Sequence, residues 1–458
     1  MRSYNNLYEP MLQDDYIKQC FNKAAKKKRK RKDVKKVLEN IDEETKILKA
    51  MLQEEMFVPA FHKVKIINDG SKHKVRRILK PNFKYEQVVH HCVIGQFQKV
   101  VMNGLYEFSC ASIPERGVHY GKKYMRKWID SYDGKKMYVL KMDVRHFFES
   151  IDRTILKEKL RKVIRDNRFY RLLCIFIEHD RIAEVVKILE DAAVEISQDD
   201  VKELVSCIAF DDDAGALKIV RSTGIVGEEY SKAEAIVKGK RKGVPLGYFA
   251  SQWFGNFYLK ALDHYIKEDL HAEHYMRYND DMVVLGKSKK KLHKIRTATE
   301  KYLNEELHLE LKGDWQVFRF EYVFKKSTNP DEKDEVRGRM LDFMGFQFHH
   351  DRTTIRKSTL ESARRKAYHI GKCEKISWYN ATQMMSYMGS FKHTNTYDYY
   401  LKYIKPNVKV KKLKKIISKH SRKENEKNER LEVAAGNTAG TSGGGRQNII
   451  PDNGVLAS

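Results

Sequence analysis

The chain has 458 residues, room for two or three domains of roughly 150 residues each, and 41% of them are hydrophobic, enough to fill a core. Lysine and arginine number 89 against 62 aspartates and glutamates, a net charge of +27 with a pI near 9.5, which favours polyanionic partners: nucleic acid first, an anionic membrane surface second. No apolar run approaches the ~20 residues of a membrane span, no hydrophobic signal core opens the chain, and the six cysteines (Cys20, Cys92, Cys110, Cys174, Cys207, Cys373) show neither a CxxC pair nor metal-ligand spacing. Neither a disulfide framework nor a structural zinc site is indicated by the cysteines, and a soluble protein in a reducing, cytoplasmic location is expected.

Residues 1–60 read as a basic helical extension, with KKKRKRK at Lys26 to Lys32 followed by the amphipathic run VKKVLENIDEETKILKAMLQ. The basic run suits a solvated helix face, an arm on a nucleic-acid backbone or, more remotely, an import signal. From residue 61 two strand-like segments, FHKVKIINDG and HKVRRILKP, are joined by an Asp-Gly turn signal and predict a basic hairpin. Helical periodicity follows in EQVVHHCVIGQFQKVVMNGL and GKKYMRKWIDSY, then a strand, MYVLKMD, that ends on Asp143. Residues 178–220 carry twelve Asp or Glu and four Lys or Arg, and their helical pattern predicts an inserted acidic helical subdomain over about 178–230. Its run Asp211, Asp212, Asp213 is expected to be a solvated turn. Beyond Gly286, KKKLHKIRTATEKYLNEEL predicts an amphipathic helix, and LHLELK, WQVFRFEYVFKK and LDFMGFQFHH predict strands. Residues 351–420 read as helical and basic. Residues 421–458 begin basic and end in a Gly-, Ala- and Ser-rich tail with no periodicity, expected to be disordered. The pairs His90-His91 and His349-His350 invite a metal reading, but adjacent side chains diverge on a helix or strand, so structural roles are expected.

The stretch HYMRYNDDMVVLG (274–286) sets two carboxylates side by side between apolar runs. Asn279 and Asp280 tolerate the conformations of a tight hairpin tip, which places Asp280 at the tip and Asp281 at the start of the return strand. A solvated turn would account for this stretch alone. Asp143 at the end of another strand adds a third carboxylate, and such a set can hold two divalent ions about 3.5–4 Å apart for in-line phosphoryl transfer. The ions themselves would relieve the repulsion between the carboxylates.

Four segments in order, LKMDVRHFFESID, GVPLGYFASQWFGNFYL, YNDD and LDFMGF, resemble the motifs of bacterial reverse transcriptases over residues 60–420. The resemblance implies an α+β right-hand polymerase with fingers and a ferredoxin-like palm over 61–350, a helical thumb over 351–420 and the helical insertion within the palm region. It implies RNA-directed DNA polymerase activity on an RNA template with a DNA or RNA primer and dNTPs. Asp143, Asp280 and Asp281 would be the ligands of two Mg2+ ions, with the Val144 carbonyl as an extra ligand and Mn2+ able to substitute. Phe148 would stack under the incoming sugar and exclude a 2′-hydroxyl, Phe147 being the core residue. Arg76 or Arg77 in VRRILKP, and Arg116, would hold the triphosphate, as guanidinium grips phosphate bidentately. Lys312 would protonate the departing pyrophosphate. Phe343, Met344, Gly345 and Phe346 would form the primer grip, although the aromatics also suit a palm core.

Within that family GVPLGYFASQ has a distinct form. Group II intron and retron enzymes typically read QGxxxSP, whereas diversity-generating retroelement enzymes place a branched aliphatic for the Gln and SQ for SP. Leu246-Gly247 and Ser251-Gln252 match the second form. A leucine there removes an amide that checks pairing near nucleotide and template, which implies poor fidelity, a template-repeat RNA and a small basic helical accessory protein. Two features depart from the pattern: Asn279 stands where Met or Ala is usual, and 100 residues separate Asp143 from Gly243. A phage-defence or retron-type enzyme and a nucleic-acid scaffold without chemistry are the competing readings.

Overall fold

The computed structural model describes residues 3–62, 65–69, 74–239, 241–326, 334–391 and 393–422, the side chains of 65, 67–69 and 74–77 excepted. The N-terminal extension forms α1 (Asp14–Ala24), α2 (Lys32–Glu39) and α3 (Ile41–Gln53). Helix α1 buries Ile17, Cys20, Phe21 and Ala24, a stripe at i, i+3, i+4 and i+7 that faces the core while its charges face out. The amphipathic run after the basic segment is two helices, because Asn40 leaves helical geometry (φ −112°, ψ 32°) between them. The predicted basic hairpin is β1 (Lys65–Asp69) paired antiparallel with β2 (Lys74–Ile78). Helix α4 (Val88–Met102) is buried on most of its circumference.

A five-stranded sheet lies at the centre. Its strands are β3 (Ser109–Cys110), β4 (Tyr138–Asp143), β5 (His274–Tyr278), β6 (Asp281–Gly286) and β7 (Gln316–Arg319), in the order β3-β5-β6-β4-β7. Only the β3–β5 pair is parallel. Between β3 and β4 lies α5 (Val118–Ser131). Side chains alternate across the sheet with the period of two that strand geometry imposes. Leu140, Met142, Tyr275, Met282 and Val284 join the larger core, while Val139, Met276, Val283 and Leu285 pack with Met125 and Trp128 of α5. Both faces are covered, which is why MVVLG reads as a continuous apolar run rather than an alternating one.

After β4 come α6 (Phe147–Ser150), α7 (Arg153–Val163), α8 (Asn167–Ile177), α9 (His179–Asp191), α10 (Gln198–Ala209), α11 (Asp213–Ser222) and α12 (Gly227–Val237). Aspartates cap α7 and α8: Asp152 accepts from the amides of Thr154 and Ile155, and Asp166 from that of Phe169. The acidic segment is helical, as its periodicity predicts, and its apolar residues join the main core. Ile182, Leu204, Ala216 and Val237 share one apolar core with α4 and with α13 (Phe249–His264).

The aspartate run is not a solvated turn. Asp211 pairs with Lys157 (2.9 Å), Arg181 (3.2 Å) and Arg241 (2.9 Å), and Asp213 with Arg241 (2.7 Å). Asp212 caps α11 through the Gly215 amide. At the centre of this cluster Glu178, fully buried, meets Arg153 and Lys157 at 2.7 Å and Arg181 at 3.0 Å. The local acidity of the sequence is balanced by cations that lie outside or at the edge of the segment, and spacing along the chain could not show that pairing.

Helix α14 (Lys289–Leu307) ends at His308, which takes a left-handed conformation. The predicted strand LHLELK contributes only one bridge, Leu311 to Val144. WQVFRFEYVFKK is split between β7 and β8 (Tyr322–Lys325), which pairs with β9 (Glu335–Arg337) in another sheet. A three-stranded sheet follows, made of β10 (Leu341–Phe343), β11 (Phe346–Phe348) and β12 (Thr353–Ile355). The C-terminal region comprises α15 (Lys357–Lys372), α16 (Trp378–Phe391) and a helix over 410–422, around a small core of its own that includes Ile370, Met384, Ile404 and Leu413. The molecule is thus mixed α and β. The tail predicted to be disordered lies outside the described residues from 423 onward. All six cysteines are free thiols, and among the described residues no helix is long and apolar enough to cross a membrane.

Candidate functional site

Strand parity decides where the carboxylates go. Asp143 on β4 and Asp281 on β6 are register partners, and both share the sheet face of Lys141, Val139 and Val283, opposite to Met142 and Met282. Directly opposed side chains on neighbouring strands have Cβ atoms about 4.5–5.5 Å apart. Tyr278 pairs with Asp281, so Asn279 and Asp280 form a two-residue turn, with Asn279 at φ +54°. That left-handed conformation is one asparagine tolerates better than Met or Ala, which gives the departure at this position a local structural reason. Three carboxylates are thus carried to the same end of β4, β5 and β6; among the described residues their ligand atoms are not grouped within 4.8 Å of one another.

The crowding shows in the proton affinities of Asp280 and Asp281. Burial, the Asp143 charge and the Asp281 charge push the Asp280 carboxyl up to about 6. Burial and Asp143 also raise Asp281, opposed by the cations Lys141, Lys312 and Arg356. Lys312 is drawn into the cluster twice. Its amide donates to the Asp143 carbonyl at 2.8 Å, and its ammonium donates to Asp143 Oδ2. Burial works against the Lys312 charge, yet the hydrogen bond to Asp143 and the three carboxylate charges outweigh it and raise the ammonium's pKa. One ammonium does not neutralise three carboxylates, and Asp143 Oδ1 is buried with no hydrogen-bond partner. An all-oxygen donor set with a spare buried oxygen is the kind that suits a hard divalent cation, and Asp143, Asp280 and Asp281 are the residues that could hold one. Val144 follows Asp143 and is buried; it bridges Leu311.

Two residues on, the chain turns at His146 (φ +45°) into α6. Phe147 is buried, whereas Phe148 is half-exposed with its ring 5.0 Å from that of Phe147. Opposite them runs the segment 243–256. The Val244 amide donates to the Phe148 carbonyl at 2.8 Å. At Gly255 a Cβ would come within 2.9 Å of the Phe147 ring and 3.1 Å of the Phe148 ring, so a glycine leaves the room that both rings occupy.

At Gly247 (φ +106°) a Cβ would sit 2.2 Å from the Leu79 carbonyl, and the Leu79 amide donates to the Leu246 carbonyl at 2.9 Å. The exit of β2 is thereby docked on Leu246-Gly247. Arg76 and Arg77 lie on β2, opposite Ile67 and Ile66; their side chains lie outside the described residues. Ser251 is buried and donates to the Pro245 carbonyl at 2.5 Å, while Gln252 is exposed. A cavity of about 470 Å³ opens beside this junction, lined by Lys28, Arg31, Lys80, His91, Gly247 and Phe249. The ring of His91 lies 4.9 Å from that of Phe249.

Arg116 is half-buried and its guanidinium donates to the Tyr106 carbonyl at 3.1 Å. Its own carbonyl accepts from Ala111, next to Cys110, whose carbonyl receives the Asn279 amide. Arg116 thus stands near the hairpin tip but is partly engaged. In LDFMGF the aromatics are core: Phe343 and Phe346 are buried in the second apolar cluster. Only Met344 and Gly345, both at positive φ, form the half-exposed tip of the β10–β11 hairpin.

Sequence reasoning missed three supporting cations. Lys141 donates to the Asp342 carbonyl (2.9 Å), and Arg356 grips the Asp342 carboxylate through Nε at 2.8 and 2.9 Å, which ties β10 to β4 beside the carboxylates. Arg277, fully buried on β5, binds Asp263 of α13 through two nitrogens at 2.8 and 2.6 Å and donates to the Asn279 carbonyl at 2.9 Å. It holds the hairpin tip from below. An arginine inside an otherwise apolar strand was the available signal, since a buried charge demands a partner.

No family model matches the chain, and no curated protein matches it. Among solved structures it is similar to telomerase from Candida albicans in complex with the TWJ fragment of telomeric RNA, at 12% identity and a TM-score of 0.36, covering 76% of this chain and 55% of that one. It is also similar to telomerase from Candida tropicalis with the same fragment, at 14% identity and a TM-score of 0.36, covering 82% and 56%. Apo telomerase from Candida tropicalis gives 12% identity and 0.37, covering 71% and 52%. The chain spans about half the length of these structures, and at such scores the likeness carries no argument.

Proposed function

We propose that this protein is an RNA-directed DNA polymerase that adds dNTPs to a primer 3′-hydroxyl, with two Mg2+ ions held by Asp143, Asp280 and Asp281. The supporting observation is the register that sets Asp143 opposite Asp281 with Asp280 in the adjoining turn. Carboxylates so placed repel one another, and a pair of divalent cations is the partner that makes the arrangement favourable. When bound, the ions lower the pKa of the attacking hydroxyl and steady the charge on the phosphates.

The protein's own residues supply the rest. Arg277 and Asp263 fix the height of the hairpin tip. Phe148, half-exposed beside Asp143 and backed by Phe147, presents a ring to the sugar and excludes a 2′-hydroxyl. Lys312 holds a proton at Nζ within reach of the site and delivers it to the leaving pyrophosphate. Arg76 or Arg77, carried by the hairpin that docks on Leu246-Gly247, engages the triphosphate, and Arg116 supports it from the tip side. Met344 and Gly345 face the primer end. The basic, aromatic cavity beside Gly247 suits a single-stranded template, whose phosphates meet Lys28, Arg31 and Lys80 while a base stacks on Phe249.

Copying is of low fidelity in this reading, and the protein serves a diversity-generating retroelement, with a small basic helical protein as partner. Leu246 supports this: its carbonyl is engaged by Leu79 and its side chain offers no hydrogen bond to a base pair. A phage-defence or retron-type enzyme is the second reading, favoured by the helices over 178–237, which stretch the spacing between Asp143 and Gly243. Both are tested by incubating the protein with a primed RNA, Mg2+ and dNTPs, and sequencing the cDNA. Errors concentrated at template adenines support the first reading; faithful or untemplated products support the second. Absence of any extension, with or without a helical partner, would leave only a nucleic-acid scaffold.

A further inference from the structure

A second cluster of metal-ligating side chains lies apart from the carboxylates. His62 follows α3 in a segment without regular secondary structure, Glu86 lies in the turn that enters α4, and His179 is the first residue of α9. Positions 62, 86 and 179 have no motif spacing, so nothing in the sequence joins them. In the fold one donor atom from each lies within 4.8 Å of the others. Glu86 Oε1 is 2.7 Å from His179 Nε2, and Oε2 contacts His62 Nε2. The site is buried: the three side chains are 6%, 5% and 2% exposed in chain order.

We propose that His62, Glu86 and His179 form a zinc site that clamps the base of the β1–β2 hairpin to α4 and α9. Two imidazoles and a carboxylate are a donor set that zinc takes, with water in a fourth position, whereas Mg2+ and Ca2+ prefer oxygen alone. Outer contacts hold the ligands in place. The Asn82 amide donates to Glu86 Oε2 at 3.0 Å, and the Tyr248 hydroxyl lies 3.3 Å from His179 Nδ1, the second hydrogen bond that ligating imidazoles usually make. With Zn–N and Zn–O bonds of about 2.0–2.1 Å, tetrahedral ligands stand roughly 3.3 Å apart, so the Glu86–His179 pair opens by roughly half an ångström. Tyr248 belongs to GVPLGY, and the hairpin exit docks one residue before it, so the ion would brace the junction without touching the carboxylate site. The inference does not depend on the polymerase reading.

The test uses the untagged full chain, stripped of metal, given one equivalent of zinc chloride and passed through a desalting column before metal analysis. About one zinc per chain is expected to remain and to raise the melting temperature. His62→Ala and His179→Ala should weaken zinc binding by at least the roughly 10–100-fold that loss of an outer contact costs. Glu86→Gln, nearly isosteric, covers the case in which an alanine variant fails to fold. His179→Cys supplies a thiolate and should recover binding, which a bare hydrogen-bonded triad would not do. Asp143→Asn and Asp281→Asn should retain zinc. The proposal is overturned if wild type keeps no zinc, if the alanine and Gln variants keep as much as wild type, or if the protein purifies with iron on these residues and does not exchange it for zinc.

Discussion

Asp281 and Asp143 face each other across a strand pair, a placement that costs stability when no cation lies between them. Asp281→Asn should therefore leave the Mg2+-free protein as stable as wild type or more stable, by up to about 1 kcal/mol, in urea unfolding. Asp280 adds a pH signature. Its carboxyl, at 3.8 in an unfolded chain, is pushed up to about 6 in the fold, so the native state binds more protons across that window. Stability of the Mg2+-free protein should fall as pH rises from about 4 to about 6 and then level off, and Asp280→Asn should flatten that slope. Phe148→Ala tests the sugar contact: incorporation of rNTPs relative to dNTPs should rise at least about tenfold in single-nucleotide assays. These residues were legible because strand-end carboxylates and a turn-forming Asn-Asp are local signals. Lys141 and Arg356 were not, since each acts on Asp342 across a gap that only the folded sheets define.

At the scale of elements, β5 is held to α13 by the Arg277–Asp263 pair, both fully buried. Removing one partner of such a pair strands a charge and costs about 3–5 kcal/mol. Arg277→Met should lose stability on that order in urea melts, and adding Asp263→Asn should restore part of it. Long periodic segments such as α4 and α14 were legible from their spacing. The strands at the ends of elements were not. LHLELK alternates as a strand should, yet β4 already has β6 and β7 on its two sides, so Leu311 finds only a bridge to Val144 at the strand's end. WQVFRFEYVFKK reads as one strand, but it leaves the central sheet after Arg319 to pair with β9.

For the whole molecule, a charge of +27 predicts that affinity for a primed RNA falls steeply with salt. Six or more phosphate contacts imply a loss of about 1,000-fold between 50 and 200 mM salt, measurable by fluorescence anisotropy; a flat response would mean that the basic surface does not engage the backbone. The acidic helices show why overall organisation is harder to read than motifs. Composition set 178–220 apart, but Glu178, Asp211 and Asp213 are neutralised by Arg153, Lys157 and Arg241 from neighbouring segments, and the helices share the main core. The change in composition along the chain therefore coincides with charge pairing between segments.

The central claim is that Asp143, Asp280 and Asp281 act together on divalent ions during nucleotide addition. It is tested most directly by primer extension on RNA with Mg2+, comparing wild type with Asp143→Asn, Asp280→Asn and Asp281→Asn, each shown to be folded by circular dichroism. Extension by wild type and a loss of at least about 1,000-fold in each variant, equivalent to roughly 4 kcal/mol of transition-state stabilisation, is the predicted result. Variants that fold and extend primers at the wild-type rate would contradict it.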